Sequence, residues 1–491
     1  MCSLVRLTLL LMVFSVGLSG CYRFASSEGG GQAAFSPPRT IAPADVALPA
    51  GYRIEAIAVD LTYPTAVTVD DRGQVYVVEG GYSYGEAWAE PRLLRIEPDG
   101  ATTVIVAGDN PPWTGVVFHD GAFYLSEGGL LEGGRIVHLT MDGQVTPLVE
   151  NIPTHGDHHT NAPAVGPDGK IYFGAGTTTN SGVVGIDNIR FGWVERFPDF
   201  HDVPARDIAL AGRNHETTNP LTADPDDTAV TGAFLPFGTP SAPGQRIAGR
   251  LPANGAIMRV AAAGGKMELV AWGLRNPYGL AFSPDGQLFA TENQFDVRGS
   301  RPIWGTGDLL WQIDWRQPGR WHGWPDFFAG QPLAEGDRFQ APGEPAPQFL
   351  LADHPETPPT PVTRFAVHAS ANGLDFPPNN AFGFEGHAFV AQFGDLAPAV
   401  GKVLAPVGYN VVTVDPASGV IVPFAANAGP TNGPASQLGG GGLERPVDVA
   451  FSPDGTALYI ADFGVMTTSD QGPQPRAGTG VVWRVTREPG R

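Results

Sequence analysis

The chain is nearly without cysteine: it has two in 491 residues, Cys2 and Cys21, both close to the start. No disulfide can therefore staple the body, which must be held by packing and hydrogen bonds alone. Positive charge is scarce as well, with 30 Lys and Arg against 50 Asp and Glu and a net charge of −20. Binding a phosphate backbone needs clustered cations, so nucleic acid is excluded as a partner. The same scarcity makes any local group of arginines informative. The apolar run Leu7–Gly17 is too short to span a bilayer. There is no Cys-x-x-Cys-His, so no covalently attached haem is expected.

What stands at the N-terminus reads as an export signal: Arg6, the apolar run, then Leu18-Ser19-Gly20-Cys21. The last four residues resemble a bacterial lipobox, which makes Cys21 the expected lipidation site and new N-terminus. The alternative is a plain signal peptide with an incidental cysteine. Residues 22–45, with Gly29-Gly30-Gly31 and Pro37-Pro38, read as a flexible tether. The expected organisation is residues 1–21 as lipoprotein signal and acylated Cys, 22–45 as tether and 46–491 as one folded body. The membrane is then reached through the lipid anchor only, and the location is the bacterial cell envelope, on its periplasmic or extracellular side.

The body is rich in glycine (65) and proline (47), as in chains of many strands and turns. One phrase recurs in it. Pro277-Tyr278-Gly279-Leu280-Ala281-Phe282-Ser283-Pro284-Asp285-Gly286-Gln287-Leu288-Phe289-Ala290 is matched by Pro446–Gly455 running on through Leu458-Tyr459-Ile460, with looser copies near Pro64–Val77, Thr114–Leu125, Ala162–Phe173 and Ala371–Val390. Alternating apolar residues give strands, and Asp-Gly offers positive φ for a two-residue hairpin turn. A hairpin cannot bury its apolar face alone, so six copies imply an all-β, six-bladed β-propeller with loop insertions on one face. Gly73, Gly121 and Gly169 are evenly spaced, one blade apart. The next interval is more than twice as long and points to an insertion at about 186–254. The fourth interval is also long and carries Trp321-His322-Gly323-Trp324-Pro325. Such loops are expected to wall a pocket over the central channel.

Residues entering an innermost strand stand at the channel mouth. Three such places carry chemistry. Asp157-His158-His159-Thr160-Asn161, with His155 just upstream, offers a general base, a metal ligand set, or only a polar turn. Arg275-Asn276, ahead of the fourth hairpin, suits a planar ligand bearing carboxylates; pairing with an acidic neighbour is the bland alternative. Arg445, ahead of the sixth hairpin, adds a second cation unless Glu444 competes for it, and Lys402 is a third.

Arg275-Asn276-Pro277-x-Gly279-Leu280, Asp157-His158 ahead of Gly166–Tyr172, His322-Gly323-Trp324-Pro325 and Arg445–Phe451 together resemble the glucose/sorbosone dehydrogenase family, across most of residues 50–487. The resemblance implies a six-bladed propeller using pyrroloquinoline quinone (PQQ) and Ca²⁺ to oxidise a sugar or aldose. On that pattern Arg275, Asn276, Arg445 and Lys402 hold the quinone's three carboxylates and His158 takes the substrate's hydroxyl proton. Calcium polarises a quinone carbonyl, with backbone near Asn293-Gln294 as its expected site. Electrons then pass to an acceptor protein or a membrane quinone. The chain departs from the glucose-oxidising pattern at Thr177, where an acid is expected, at Val447, where a second Arg is expected, and at Tyr278, where an amide is expected. Two other readings stand beside it. One is a non-catalytic propeller lipoprotein that binds glycan or protein. The other is a calcium-dependent, lactonase-like hydrolase using carboxylates such as Glu79, Glu127, Glu292 and Asp462.

Overall fold

The computed structural model describes residues 29–31, 35–129, 132–469 and 471–488. Six four-stranded antiparallel sheets form a closed ring. The innermost strands are Pro64–Val69, Trp113–His119, Thr160–Val165, Asn276–Phe282, Ala371–Asp375 and Pro446–Phe451, and each touches the next, the sixth returning to the first. They are the first strands of the six recurring phrases, numbered here as blades 1 to 6. The ring is closed within blade 6. Its inner three strands, Pro446–Phe451, Ala457–Asp462 and Gly480–Arg487, come from the end of the chain, and its outermost strand is Tyr52–Leu61.

The turn chemistry differs from a uniform two-residue hairpin. Asp120 (φ 49°) and Gly121 (φ 78°) make that turn in blade 2. In blades 1, 3, 4 and 6 the glycine alone has positive φ, and its N–H returns to the carbonyl three residues earlier, as in Gly286 to Ser283 (2.8 Å) and Gly455 to Ser452 (2.8 Å). These are type I turns closed by a left-handed glycine. The aspartate serves as acceptor instead: Asp454 Oδ1 takes the Thr456 N–H at 3.0 Å.

Polar side chains stitch neighbouring blades. Thr65 Oγ1 donates to Trp113 O (2.6 Å), Ser126 Oγ to Asn161 O (2.6 Å), Asn161 Nδ2 to Pro277 O (3.0 Å) and Thr291 Oγ1 to Asn372 O (2.5 Å). Asp375 accepts from Phe451 N (2.8 Å), and Asp448 accepts from Val67 N (2.9 Å). Buried carbonyls and N–H groups at the blade junctions are thereby satisfied. Gly373 lies where a Cβ would collide with Asp448, so the glycine is what admits that carboxylate.

The insertion in blade 3 lies between strands Lys170–Ala175 and Ala256–Ala261, at the end of the ring where the innermost strands begin. It holds the short helices Ile186–Arg190 and Trp193–Arg196. The long insertion of blade 4 does otherwise: Arg320–Trp321 adds in parallel to the outer strand Glu268–Trp272 of blade 3. His322-Gly323-Trp324-Pro325 therefore packs on the outside of the ring, with His322 edge-on to Trp311 and Trp321 Nε1 donating to Trp324 O (3.2 Å). It does not wall the channel.

The described part of the expected tether is folded. Arg39, its side chain 4% exposed, pairs with Asp462 and bonds Thr479 O and Gly442 O. Val46–Ala47 adds a fifth strand to blade 5. Among the described residues no helix is long and apolar enough to cross a membrane. Cys21 and the leader lie outside the described residues.

Candidate functional site

At the end of the ring where the innermost strands begin, a cavity of about 150 Å³ opens at the axis. Its wall comes from the entries to blades 3, 4 and 5 (Asp157, His158, Arg275, Asn276, His368, Ser370). The rest comes from the loops after second strands: Tyr84, Phe191, Trp193, Asp296, Arg298, Leu396, Val400 and Pro473. Expected site residues His158, Arg275 and Asn276 thus meet at one opening.

A repeated device sets the blade entries. An acid at the end of the second strand accepts the N–H that precedes the innermost strand: Glu79 from Thr62 (2.6 Å), Glu292 from Arg275, and Asp462 from Arg445 (2.8 Å). In blades 4 and 6 a tryptophan of the third strand donates to the same acid, Trp311 to Glu292 (2.5 Å) and Trp483 to Asp462 (3.1 Å). Glu127 pairs with Arg135. Three of these four carboxylates cap strand ends, the fourth is an ion-pair partner, and none lines the cavity. Among the described residues no group of three or more His, Cys, Asp or Glu is placed to hold a metal ion.

His158 is buried, and its Nδ1 lies 2.8 Å from Thr177 O. A carbonyl only accepts, so Nδ1 carries the hydrogen and Nε2 keeps its lone pair. Burial, then the Arg275 charge, holds the imidazole's pKa well below its ordinary value, so it is neutral at pH 7. Gly176 makes this packing possible, since a Cβ there would collide with the His158 Cβ. Thr177, at the position where an acid was expected, orients the histidine through its main chain. His159 points away, packed against Tyr82 and Tyr84.

Arg275 is 2% exposed, and each of its three side-chain nitrogens donates a hydrogen bond. Its Nε donates to Asn180 O (2.9 Å), and Nη2 donates to Asn180 Oδ1 (2.8 Å) and Asp296 Oδ2 (2.9 Å). Asn276 Nδ2 donates to Asn293 Oδ1 (2.9 Å), and its Oδ1 accepts from Asn161 (2.7 Å). The cation that sequence reasoning missed is Arg298, which is clasped by Asp157, by Asp187 (2.7 Å) and by Asp296 (3.0 Å). Burial raises the Asp296 carboxyl, but Arg275 and Arg298 outweigh it and hold the pKa below the usual range. Asp308, buried beneath, is pushed up to about 6 while accepting Gln294 N (3.0 Å) and Ala371 N (2.9 Å). No local pattern announces Arg298, because its partners Asp157 and Asp187 lie more than 100 residues upstream.

Two expected cofactor-binding residues are not at the mouth. Arg445 is wholly buried, with Nη1 donating to the carbonyls of Phe393 (3.3 Å), Gly394 (3.3 Å) and Asp395 (3.1 Å) and Nη2 to Met466 O (3.3 Å). The expected competitor Glu444 instead bonds Ser436 N (2.7 Å) and Oγ (2.9 Å). Lys402 is exposed and lies outside the cavity lining.

Comparison with known proteins gives the class of fold. No family model matches the chain, and no curated protein matches its sequence. Among solved structures, the holo PQQ domain of pyranose dehydrogenase from Coprinopsis cinerea aligns over 92% of this chain and 98% of that one, at 15% identity and a TM-score of 0.55. A calcium structure of a Trichoderma reesei carbohydrate-active enzyme of family AA12 aligns over 92% and 100%, at 16% identity and a TM-score of 0.52. A PQQ-bound aldose sugar dehydrogenase from Streptomyces coelicolor covers 90% and 99%, at 16% identity and a TM-score of 0.49. The resemblance drawn from the motifs thus extends to the fold: the chain is a six-bladed propeller similar to the PQQ domain of pyranose dehydrogenase.

The side chains do not fit PQQ itself. Its three carboxylates need unspent donors, yet Arg275 and Arg298 are matched by Asp157, Asp187 and Asp296, and Arg445 is closed off. The expected calcium region fares no better, since Asn293 O faces Arg275 Nη1 at 3.3 Å. A guanidinium bonded to that carbonyl repels a divalent cation approaching the same oxygen.

Proposed function

We propose that this propeller acts on a sugar or aldose, with one substrate hydroxyl at the axial mouth giving its proton to His158 Nε2. The observation that carries the reading is the His158–Thr177 bond, which presents a neutral, oriented imidazole to the cavity. An acceptor facing the cavity, His158 Nε2, suits a ligand bearing hydroxyl donors. Apolar Trp193, Phe191, Leu396 and Val400 offer the faces against which a sugar ring packs.

The neighbours named for pyranose and aldose sugar dehydrogenase support oxidation as the reaction class, by analogy of fold. In that reading the carbinol C–H leaves as hydride to an external, uncharged quinone admitted to the same mouth, which becomes the hydroquinone anion, while the O–H proton goes to His158. The protein's part is to bind, orient and accept that proton. The leader and Cys21 carry the further proposal that this happens at the cell envelope on a lipid anchor; loss of membrane association in Cys21→Ser tests it.

The test is a titration of purified protein with a panel of neutral aldoses, read by tryptophan fluorescence, with reduction of an electron-accepting dye followed in parallel. Saturable binding by wild type and loss of dye reduction in His158→Ala are expected. Absence of binding across the panel refutes the reading.

A further inference from the structure

Positive charge at the mouth is already spent. The charged residues lining the cavity are Asp157, Asp296, Asp308, Arg275 and Arg298. Asp187 joins them through Arg298 at 2.7 Å, and Asp296 is shared by both arginines at 2.9 and 3.0 Å. The carboxylates therefore outnumber the guanidiniums in one connected cluster. A further carboxylate would enter next to acids with no cation to meet it, and it can only accept hydrogen bonds. Like would face like in charge.

The third cation expected there has another task. Arg445 reaches four main-chain carbonyls, lies 5.0 Å from the ring centroids of both Phe393 and Tyr409, and is touched by the chain's own N-terminal segment. A Cβ on Gly31 would stand 2.7 Å from Arg445 Nη2, and one on Gly30 would stand 2.7 Å from the Tyr409 ring. Thr468 N donates to Gly31 O at 2.7 Å. Glycine at 30 and 31 is thus required by close approach, beyond any need for a supple linker. Arg445 joins this strap to the loops after the second strands of blades 5 and 6.

We infer that the mouth has no site for the tricarboxylate quinone bound by its fold neighbours, that it admits uncharged polyhydroxyl ligands and rejects polycarboxylates, and that Arg445 is a strut locking the Gly30–Gly31 strap. The preference for a polyhydroxyl ligand rests on the function proposed above, whereas the exclusion of the quinone does not.

Equilibrium titration with PQQ, with and without calcium, tests the exclusion through tryptophan quenching and co-elution on gel filtration. Wild type gives no saturable quenching and no co-elution. Asp296→Asn, which removes the carboxylate shared by Arg275 and Arg298, gains weak, salt-sensitive quinone binding. Stoichiometric binding by wild type that Arg275→Ala abolishes would overturn the inference, whatever the sugar panel shows. Arg445→Met lowers the melting temperature and speeds proteolysis ahead of residue 35, with sugar affinity within about twofold of wild type. A tenfold change in quinone or sugar affinity at unchanged melting temperature would overturn the strut.

Discussion

His158 Nδ1 donates to the main-chain oxygen of Thr177 at 2.8 Å, so a carbonyl fixes the tautomer of the imidazole at the axial mouth. Thr177 Oγ1 lies 3.3 Å from the same nitrogen but is itself occupied, donating to Thr179 O at 2.7 Å. The side chain is therefore dispensable for orientation. Thr177→Val should keep turnover within a few-fold. His158→Ala should lose about 10²–10⁴-fold of turnover, the range of a general base, with sugar affinity retained. Steady-state kinetics of the two variants decide it; a Thr177→Val defect as deep as that of His158→Ala would contradict this account.

Because burial and Arg275 hold the His158 pKa well below its ordinary value, the base is already deprotonated at neutral pH. Turnover should be flat from about pH 6.5 upward, with no step at the ordinary histidine value near 6.5. A pH–rate profile with a clear inflection there would show that the imidazole titrates freely and would contradict this account.

How much of this was legible in the sequence depends on what each feature requires. The hairpin phrases carry their own punctuation, so Pro277–Ala290 and Pro446–Ile460 declared the blades. Closure by Tyr52–Leu61 carries no such phrase, because an outer strand is defined by its partner Gly480–Arg487 at the far end of the chain. His158 and Arg275 were legible because their position relative to a hairpin fixes their place at the mouth. Arg445 holds the equivalent position, yet its direction is set by carbonyls of Phe393, Gly394 and Asp395 that no local pattern announces. Arg298 became visible only when three separated aspartates converged on it.

Arg298 staples Asp157, Asp187 and Asp296, which come from the blade 3 entry, its insertion and a blade 4 loop. Arg298→Ala would leave buried carboxylates unmatched. The expected cost is about 3–5 kcal/mol, the range for breaking a buried ion pair. Chemical denaturation measures it, and a loss below about 1 kcal/mol, as for an exposed pair, would contradict the clasp.

Several carboxyls are pushed up by burial: Asp202, Glu292 and Glu444 to about 7, and Asp448 to about 8. Their folded pKa values exceed the unfolded ones near 4, so the native state holds extra protons between about pH 4 and 8. Their contribution is present at low pH and is lost as pH rises through those folded values. The melting temperature should therefore fall by several degrees between pH 6.5 and 9. Below 6.5 the buried His159, lowered by burial to about 3, and His322, lowered to about 4, act in the opposite sense. Thermal scans across this range check it; a melting temperature that rises toward pH 9 would be the wrong sign.

The most direct test of the central claim is the tryptophan fluorescence of purified protein titrated with neutral aldoses, since Trp193 lines the mouth beside His158. The account predicts saturable quenching by at least one aldose, retained in His158→Ala and not competed by PQQ. A flat response to every sugar, or quenching by PQQ alone, would contradict it.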